Sequence, residues 1–75
     1  MDDKTLRALH RDCRMKLQRL IDEAGTMCNE LSRMEKFPIS QGEQTSVAIV
    51  SRREEIALSA YQEAKRKFFD AAIAR

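Results

Sequence analysis

The sequence predicts an all-α protein, an antiparallel hairpin of two long helices, and three observations support this fold class. The first is a repeat: five consecutive heptads in the first half carry an apolar residue at one fixed position, here labelled d. The second is composition, since the 75 residues include two Gly and one Pro, and 35% of them are charged. The third is a single segment around Pro38 that divides the helical pattern in two. A heptad repeat of this length is typical of a helix that packs along another helix at a shallow angle.

The first helix is predicted over residues 3–36. Its d positions are Leu6, Cys13, Leu20, Met27 and Met34, and the a positions of the same frame are His10, Leu17, Ala24 and Leu31. Both columns are therefore expected to face the second helix. Asp2 or Asp3 can cap the N-terminus of the first helix. Phe37 should end it, because the residue before a proline disfavours the α conformation.

The loop is predicted over residues 37–44 and the second helix over residues 45–74. Thr45 and Ser46 are suitable N-caps for this helix. Ser40 competes with them, because Ser40 followed by Glu43 three residues later forms a capping box that would begin the helix a turn earlier. The two possible starts remain open at this point.

A turn centred near residue 40 fixes the expected pairing of the two helices. The predicted pairs are Leu31 with Val50, Ala24 with Ala57, Leu20 with Tyr61, Leu17 with Ala64, and Cys13 with Phe68. Large side chains face small ones in most of these layers, which fills a core evenly. Ala57, Ala64 and Ala71 recur every seventh residue, and this column predicts close approach of the two helix backbones.

The second helix carries more apolar residues than one partner helix can cover. The surplus residues are Ile49, Ile56 and Ala60 on one flank of the core stripe, and Leu58, Phe69 and Ile73 on the other. A hairpin of this size also buries little core on its own. We therefore expect these residues to form a dimer interface, with two hairpins making a four-helix bundle, or to bind a larger protein partner. Met15, on the opposite side of the first helix, is a further candidate for partner binding. The expected function is that of a non-enzymatic protein–protein interaction module, an adaptor, inhibitor or regulator.

A basic stripe on the first helix supports an alternative function. Lys4, Arg7, Arg11 and Arg14 lie at intervals that place them on one side of the helix. Cations near a helix N-terminus oppose the helix dipole, so helix stability does not require them there. Such a stripe could contact phosphates, and the alternative prediction is a dimeric helical bundle that binds nucleic acid. A solvated charged face is the simpler interpretation of the same residues.

No catalytic, metal-binding or cofactor-binding site is predicted. His10 and Cys13 share a helix face and could supply two zinc ligands, but both occupy core positions of the heptad, where a buried thiol and a core histidine are explained without metal. The carboxylates are dispersed, and no Gly-rich segment is present to bind phosphate. The sequence therefore predicts that the protein is not an enzyme.

Two further features predict a cytoplasmic protein without a membrane segment. The chain begins with charged residues rather than a secretory signal, and its longest apolar run, residues 47–50, is too short to cross a bilayer. Cys13 and Cys28 would lie about 22 Å apart along one helix, so they cannot bridge each other. An intermolecular disulfide stays open, and reduced thiols are the simpler expectation.

Overall fold

The computed structural model describes residues 2–73 and shows two helices packed against each other. Helix α1 spans Asp3–Ser32 and helix α2 spans Gln41–Ile73, and the described residues contain no strand. The predicted all-helical hairpin is confirmed. The Cα atoms extend over 54 × 14 × 14 Å, so the molecule is a rod in which the two antiparallel helices lie side by side.

Helix α1 is capped as the sequence predicts. The carboxylate of Asp2 accepts a hydrogen bond from the backbone N–H of Thr5, with the nitrogen 2.7 Å from Oδ1. This bond satisfies one of the N–H groups that have no partner in the first turn.

Helix α1 ends four residues earlier than predicted. Its last helical residue is Ser32, and the backbone N–H of Arg33 closes the final turn on the carbonyls of Asn29 and Glu30, both at 3.2 Å. The loop therefore covers residues 33–40 instead of 37–44. The loop ends at residue 40 because the capping box at Ser40 starts the next helix early.

Helix α2 begins with the capping box at Ser40. The Ser40 hydroxyl donates to Glu43 Oε1 at 2.8 Å and accepts the Glu43 backbone N–H at 3.2 Å. The predicted start at residue 45 is wrong, because this reciprocal pair satisfies the first turn before Thr45 is reached. Thr45 instead donates its hydroxyl to the Gln41 carbonyl inside the helix, at 3.0 Å. The predicted last helical residue, 74, lies outside the described residues.

The α2 side of the core is the predicted one. Its four buried apolar residues are Val50, Ala57, Ala64 and Ala71, each at most 9% exposed. Tyr61 and Phe68, also predicted for this stripe, are half-buried beside them. The small alanine side chains allow the backbone of α1 to lie close to α2.

The α1 side of the core is only partly the predicted one. The d column is half-buried, but the a column is exposed, and the column three residues after each d position takes its place. This replacement column consists of Leu9, Lys16, Glu23 and Glu30. The expected core positions His10, Leu17, Ala24 and Leu31 are thus wrong. Both columns adjoin the d column, and α1 is rotated so that Glu23 packs against α2 and pairs with Arg53, while Leu17, Ala24 and Leu31 of the other column are exposed.

The helix register also differs from the predicted one by about a turn. The ring of Phe68 lies 5.3 Å from the ring of His10, where Cys13 was expected. Farther along the rod, Arg53 Nη2 lies 3.0 Å from Glu23 Oε1. Because the loop lies four residues earlier, each α1 residue meets α2 at a different point than a turn centred on residue 40 would give.

Candidate interaction surfaces

The surplus apolar residues of α2 are exposed, but they do not form one surface. Five of the six residues expected at an interface are exposed: Ile49 by 57%, Ile56 by 52%, Leu58 by 41%, Phe69 by 49% and Ile73 by 79%, whereas Ala60 is half-buried. Their positions in the heptad decide which of them lie together.

The core of the hairpin has two edges, and the heptad positions assign residues to each. Each helix contributes two core positions per heptad, and in α1 these are the d position and the position three residues after it. In an antiparallel pair, the residues directly after the second of these positions lie on the same edge in both helices. These residues include Leu17 and Leu31 in α1 and Leu58 in α2. The contact between His10 and Phe68 lies on this edge, and the Glu23–Arg53 pair lies on the opposite one.

The first edge carries five exposed large apolar residues, which together we call the apolar face. It comprises Leu17, Ile21 and Leu31 of α1 and Leu58 and Phe69 of α2, with exposed fractions between 37% and 56%. Leu17 and Leu31 were expected in the core, and Ile21 was not expected at any surface. The signal for this face was present in the sequence, because α1 carries two adjacent apolar columns and a single partner helix covers only one of them.

The second edge carries a smaller surface, which we call the isoleucine patch. Ile49 and Ile56 lie two helical turns apart on α2, and Met15, 64% exposed, lies on the same edge of α1. The Glu23–Arg53 ion pair borders this patch. Ile73 lies on the outer side of α2, near the end of the described residues, and belongs to neither surface.

The basic stripe is exposed along the N-terminal half of α1. Among residues 2–73, none of its four cations lies within 4 Å of a carboxylate oxygen, whereas Lys16 pairs with Asp12 at 3.2 Å and Lys67 with Glu63 at 3.5 Å. Both ion pairs join residues that are four positions apart in the sequence. Arg11 and Arg14 border an open groove with Met15 and Gln18. The stripe therefore has cations available for an anionic partner.

One carboxylate is buried in the core. Glu23 is 7% exposed, and its Oε1 accepts from Arg53, while Oε2 is buried and has no hydrogen-bond partner among the described residues. A carboxylate half satisfied in this way costs stability rather than adding to it. Sequence reasoning missed this pair because its two members are 30 residues apart.

His10 and Cys13, the two possible zinc ligands of the sequence, are not part of a larger group of metal ligands among the described residues. His10 makes an edge-to-face contact with Phe68, and Cys13 is a half-buried free thiol. No group of three or more His, Cys, Asp or Glu residues able to hold a metal occurs among residues 2–73. Within the same range, neither helix is apolar enough over a sufficient length to cross a membrane.

Comparisons of the chain with protein-family models, with curated proteins and with solved structures find no match.

Proposed function

We propose that this chain is a non-enzymatic protein–protein interaction module, an adaptor, inhibitor or regulator that binds a larger protein through the isoleucine patch. The observation that carries the proposal is the distribution of large apolar side chains. Among residues 2–73, ten of them are exposed, whereas the buried apolar residues of the core are one valine and three alanines. Apolar surface left in water on both edges of a rod supports a role in association.

The isoleucine patch suits one kind of partner, an amphipathic helix of a larger protein. Ile49 and Ile56 are about 10 Å apart along the helix axis, the spacing at which residues seven apart on a partner helix would meet them. Arg52 lies between them on the exposed surface, paired with Glu55 at 3.6 Å. A partner helix with apolar residues at i and i+7 and polar flanks fits this arrangement.

Site-specific crosslinking tests this assignment. A photoreactive benzoylphenylalanine in place of Ile56 should crosslink the partner in cells that produce the chain natively, and mass spectrometry should identify it. With that partner purified, Ile49→Ala and Ile56→Ala should each weaken binding about tenfold or more, because a few central apolar anchors carry most interface energy.

The matched control is Ile73→Ala, which removes the same side chain from a position outside both surfaces. It should leave the affinity unchanged, and circular dichroism should show that all three variants remain helical. Affinity that survives both patch substitutions in folded protein would place the partner elsewhere on the rod.

The second candidate function is nucleic-acid binding by the basic stripe, favoured by its four cations, none of which pairs with a carboxylate among residues 2–73. If Lys4, Arg7, Arg11 and Arg14 contact phosphates, affinity for RNA or DNA should fall steeply with added salt. Replacing Arg7 and Arg11 by Gln should flatten the plot of log affinity against log salt by about one unit per lost contact. Binding as weak at low salt as that of an unrelated basic protein, and unchanged in the double variant, would identify the stripe as a solvated face.

The proposed localisation of the protein is the cytoplasm. Both Cys13 and Cys28 are free thiols, and reducing compartments keep thiols in this form.

A further inference from the structure

We propose that a second copy of this chain packs on the apolar face in antiparallel orientation, so that the loop of one hairpin lies at the chain termini of the other. The product is a four-helix bundle with two-fold symmetry. This inference is independent of the proposed function, because the isoleucine patch lies on the opposite edge of the core and stays accessible in such a dimer.

The apolar side of α1 faces partly away from α2, which indicates that a second helix packs against it. The most apolar side of α1 is shared between the d column, which is half-buried, and the adjacent column, in which Leu17, Ala24 and Leu31 are exposed. The stripe is thus centred between α2 and the apolar face rather than on α2 itself. A helix in a four-helix bundle has this pattern, because it buries residues against two neighbours at once.

The accessible surface agrees with a covered face. The chain exposes 5923 Å², whereas a compact monomer of 8.7 kDa exposes about 4,700 Å². The excess, roughly 1,200 Å², is larger than the ~800 Å² that each partner buries in a stable interface of ordinary size. The rod therefore has enough surplus surface for one such interface.

The distribution of charge along the rod favours a second copy of the chain as the partner, in antiparallel orientation. The half of the rod at the chain termini, residues 2–17 and 58–73, has eight basic and five acidic side chains, a net charge of +3. The half at the loop, residues 18–57, has five basic and seven acidic side chains, a net charge of −2. Antiparallel packing of two copies sets each positive half against a negative half, whereas parallel packing sets like charges together.

The apolar residues are also placed for antiparallel pairing. Leu17 and Leu58 lie near the middle of the rod, where a two-fold axis would bring them close to their own copies. Leu31 lies about 21 Å from Leu17 toward the loop, and Phe69 lies about 16 Å from Leu58 toward the termini. In an antiparallel dimer, Leu31 of each chain therefore approaches Phe69 of the other.

The oligomeric state and two charge substitutions test the interface. Light scattering should report twice the chain mass of 8.7 kDa for the wild type, and its midpoint of thermal unfolding should rise with chain concentration. Ile21→Lys and Leu31→Lys place an unpaired charge in the interface and should weaken the dimer at least a hundredfold. Ile56→Lys is the matched control, since Ile56 is 52% exposed and Ile21 53% exposed, and it should remain a dimer.

A distance measurement tests the orientation. With Cys13→Ala and Cys28→Ser removing the native thiols, a spin label at Ser32→Cys marks the loop end of α1. Since Ser32 is about 22 Å from the middle of α1, the two labels should lie roughly 40 Å apart in the antiparallel dimer. In a parallel dimer they would be separated only by the width of the bundle, about 20 Å.

Several outcomes would overturn the proposal. A folded wild-type monomer whose unfolding midpoint does not depend on concentration would remove the dimer. Dimers that persist in Ile21→Lys and Leu31→Lys, or that are lost only in Ile56→Lys, would remove the apolar face as the interface. A label separation near 20 Å would reverse the orientation.

Discussion

The two helices contribute to the hairpin core in opposite ways. Helix α2 buries small apolar residues at every second core position, whereas the one buried residue of α1 among the described residues is the carboxylate of Glu23. Both helices carry enough apolar side chains for a conventional core. This difference shows that the orientation of α1 is not set by α2 alone. Half of its apolar stripe lies on the apolar face, and the charged side chain of Glu23 packs against α2.

The largest effect is expected from overpacking the alanine column of α2. Ala57 is 3% exposed, and Ala57→Leu would push α1 away from α2 along several layers. We expect a loss of about 1–3 kcal/mol in the free energy of unfolding, measured by urea denaturation at fixed chain concentration. Ala8→Leu, at an exposed position of α1, is the control and should stay within about 0.5 kcal/mol of the wild type. Equal effects of the two substitutions would show that the alanines do not set the helix spacing.

A gain in the free energy of unfolding, rather than a loss, is expected from replacing the buried carboxylate of Glu23 in α1. Glu23→Leu removes a carboxylate whose Oε2 has no hydrogen-bond partner in the described structure, and it adds an apolar side chain to the core. We expect the free energy of unfolding to rise by about 1–2 kcal/mol.

The same layer supplies its own control. Arg53→Leu leaves Glu23 buried without its cation and should lower the free energy of unfolding by about 1–2 kcal/mol, a value reduced from that of a fully buried pair because the Arg53 side chain is 56% exposed. The double variant should be at least as stable as the wild type. Destabilisation by Glu23→Leu alone would mean that the ion pair is a net source of stability.

The contrast between the helices also explains how much the sequence could predict. The α2 core stripe is the only column of small apolar residues on its helix, so Ala57, Ala64 and Ala71 could be placed from the repeat alone. The cap by Asp2 likewise depends on a residue three positions away, and it was predicted.

The α1 side could not be settled in this way, for a physical reason. Two columns adjoin the d column, and the choice between them depends on a partner 30 residues away, since Glu23 is held by Arg53. The same choice decides whether Leu17 and Leu31 belong to the core or to the apolar face. The candidate surfaces of α2, by contrast, were expected as two separate flanks of the core stripe, and Ile49 and Leu58 do lie on different edges.

A smaller effect is expected at the two N-caps, which were predicted with different success. Asp2→Ala removes the bond to the Thr5 N–H, and Ser40→Ala removes both bonds of the capping box. Each should cost about 1 kcal/mol of unfolding free energy, measured by denaturation. Ser40→Ala should also fray the first turn of α2, which hydrogen exchange of Gln44 would report, because its N–H bonds to the Ser40 carbonyl at 2.9 Å. Unchanged exchange there would mean that Thr45 or Ser46 can take over the cap.

The smallest effect separates the glycines of the two helices. Gly25 lies inside α1 and Gly42 in the first turn of α2, and a Cβ added at either position meets no atom within 4 Å. Because alanine loses less conformational entropy on folding than glycine, Gly25→Ala should raise the free energy of unfolding by about 0.5–1 kcal/mol. Gly42→Ala should give less, since residues of the first turn are less constrained by helical hydrogen bonds than those of the interior. Thermal denaturation of the two variants at one chain concentration measures the difference, and a larger gain at Gly42 would show that the start of α2, not the middle of α1, is the weaker part of the hairpin.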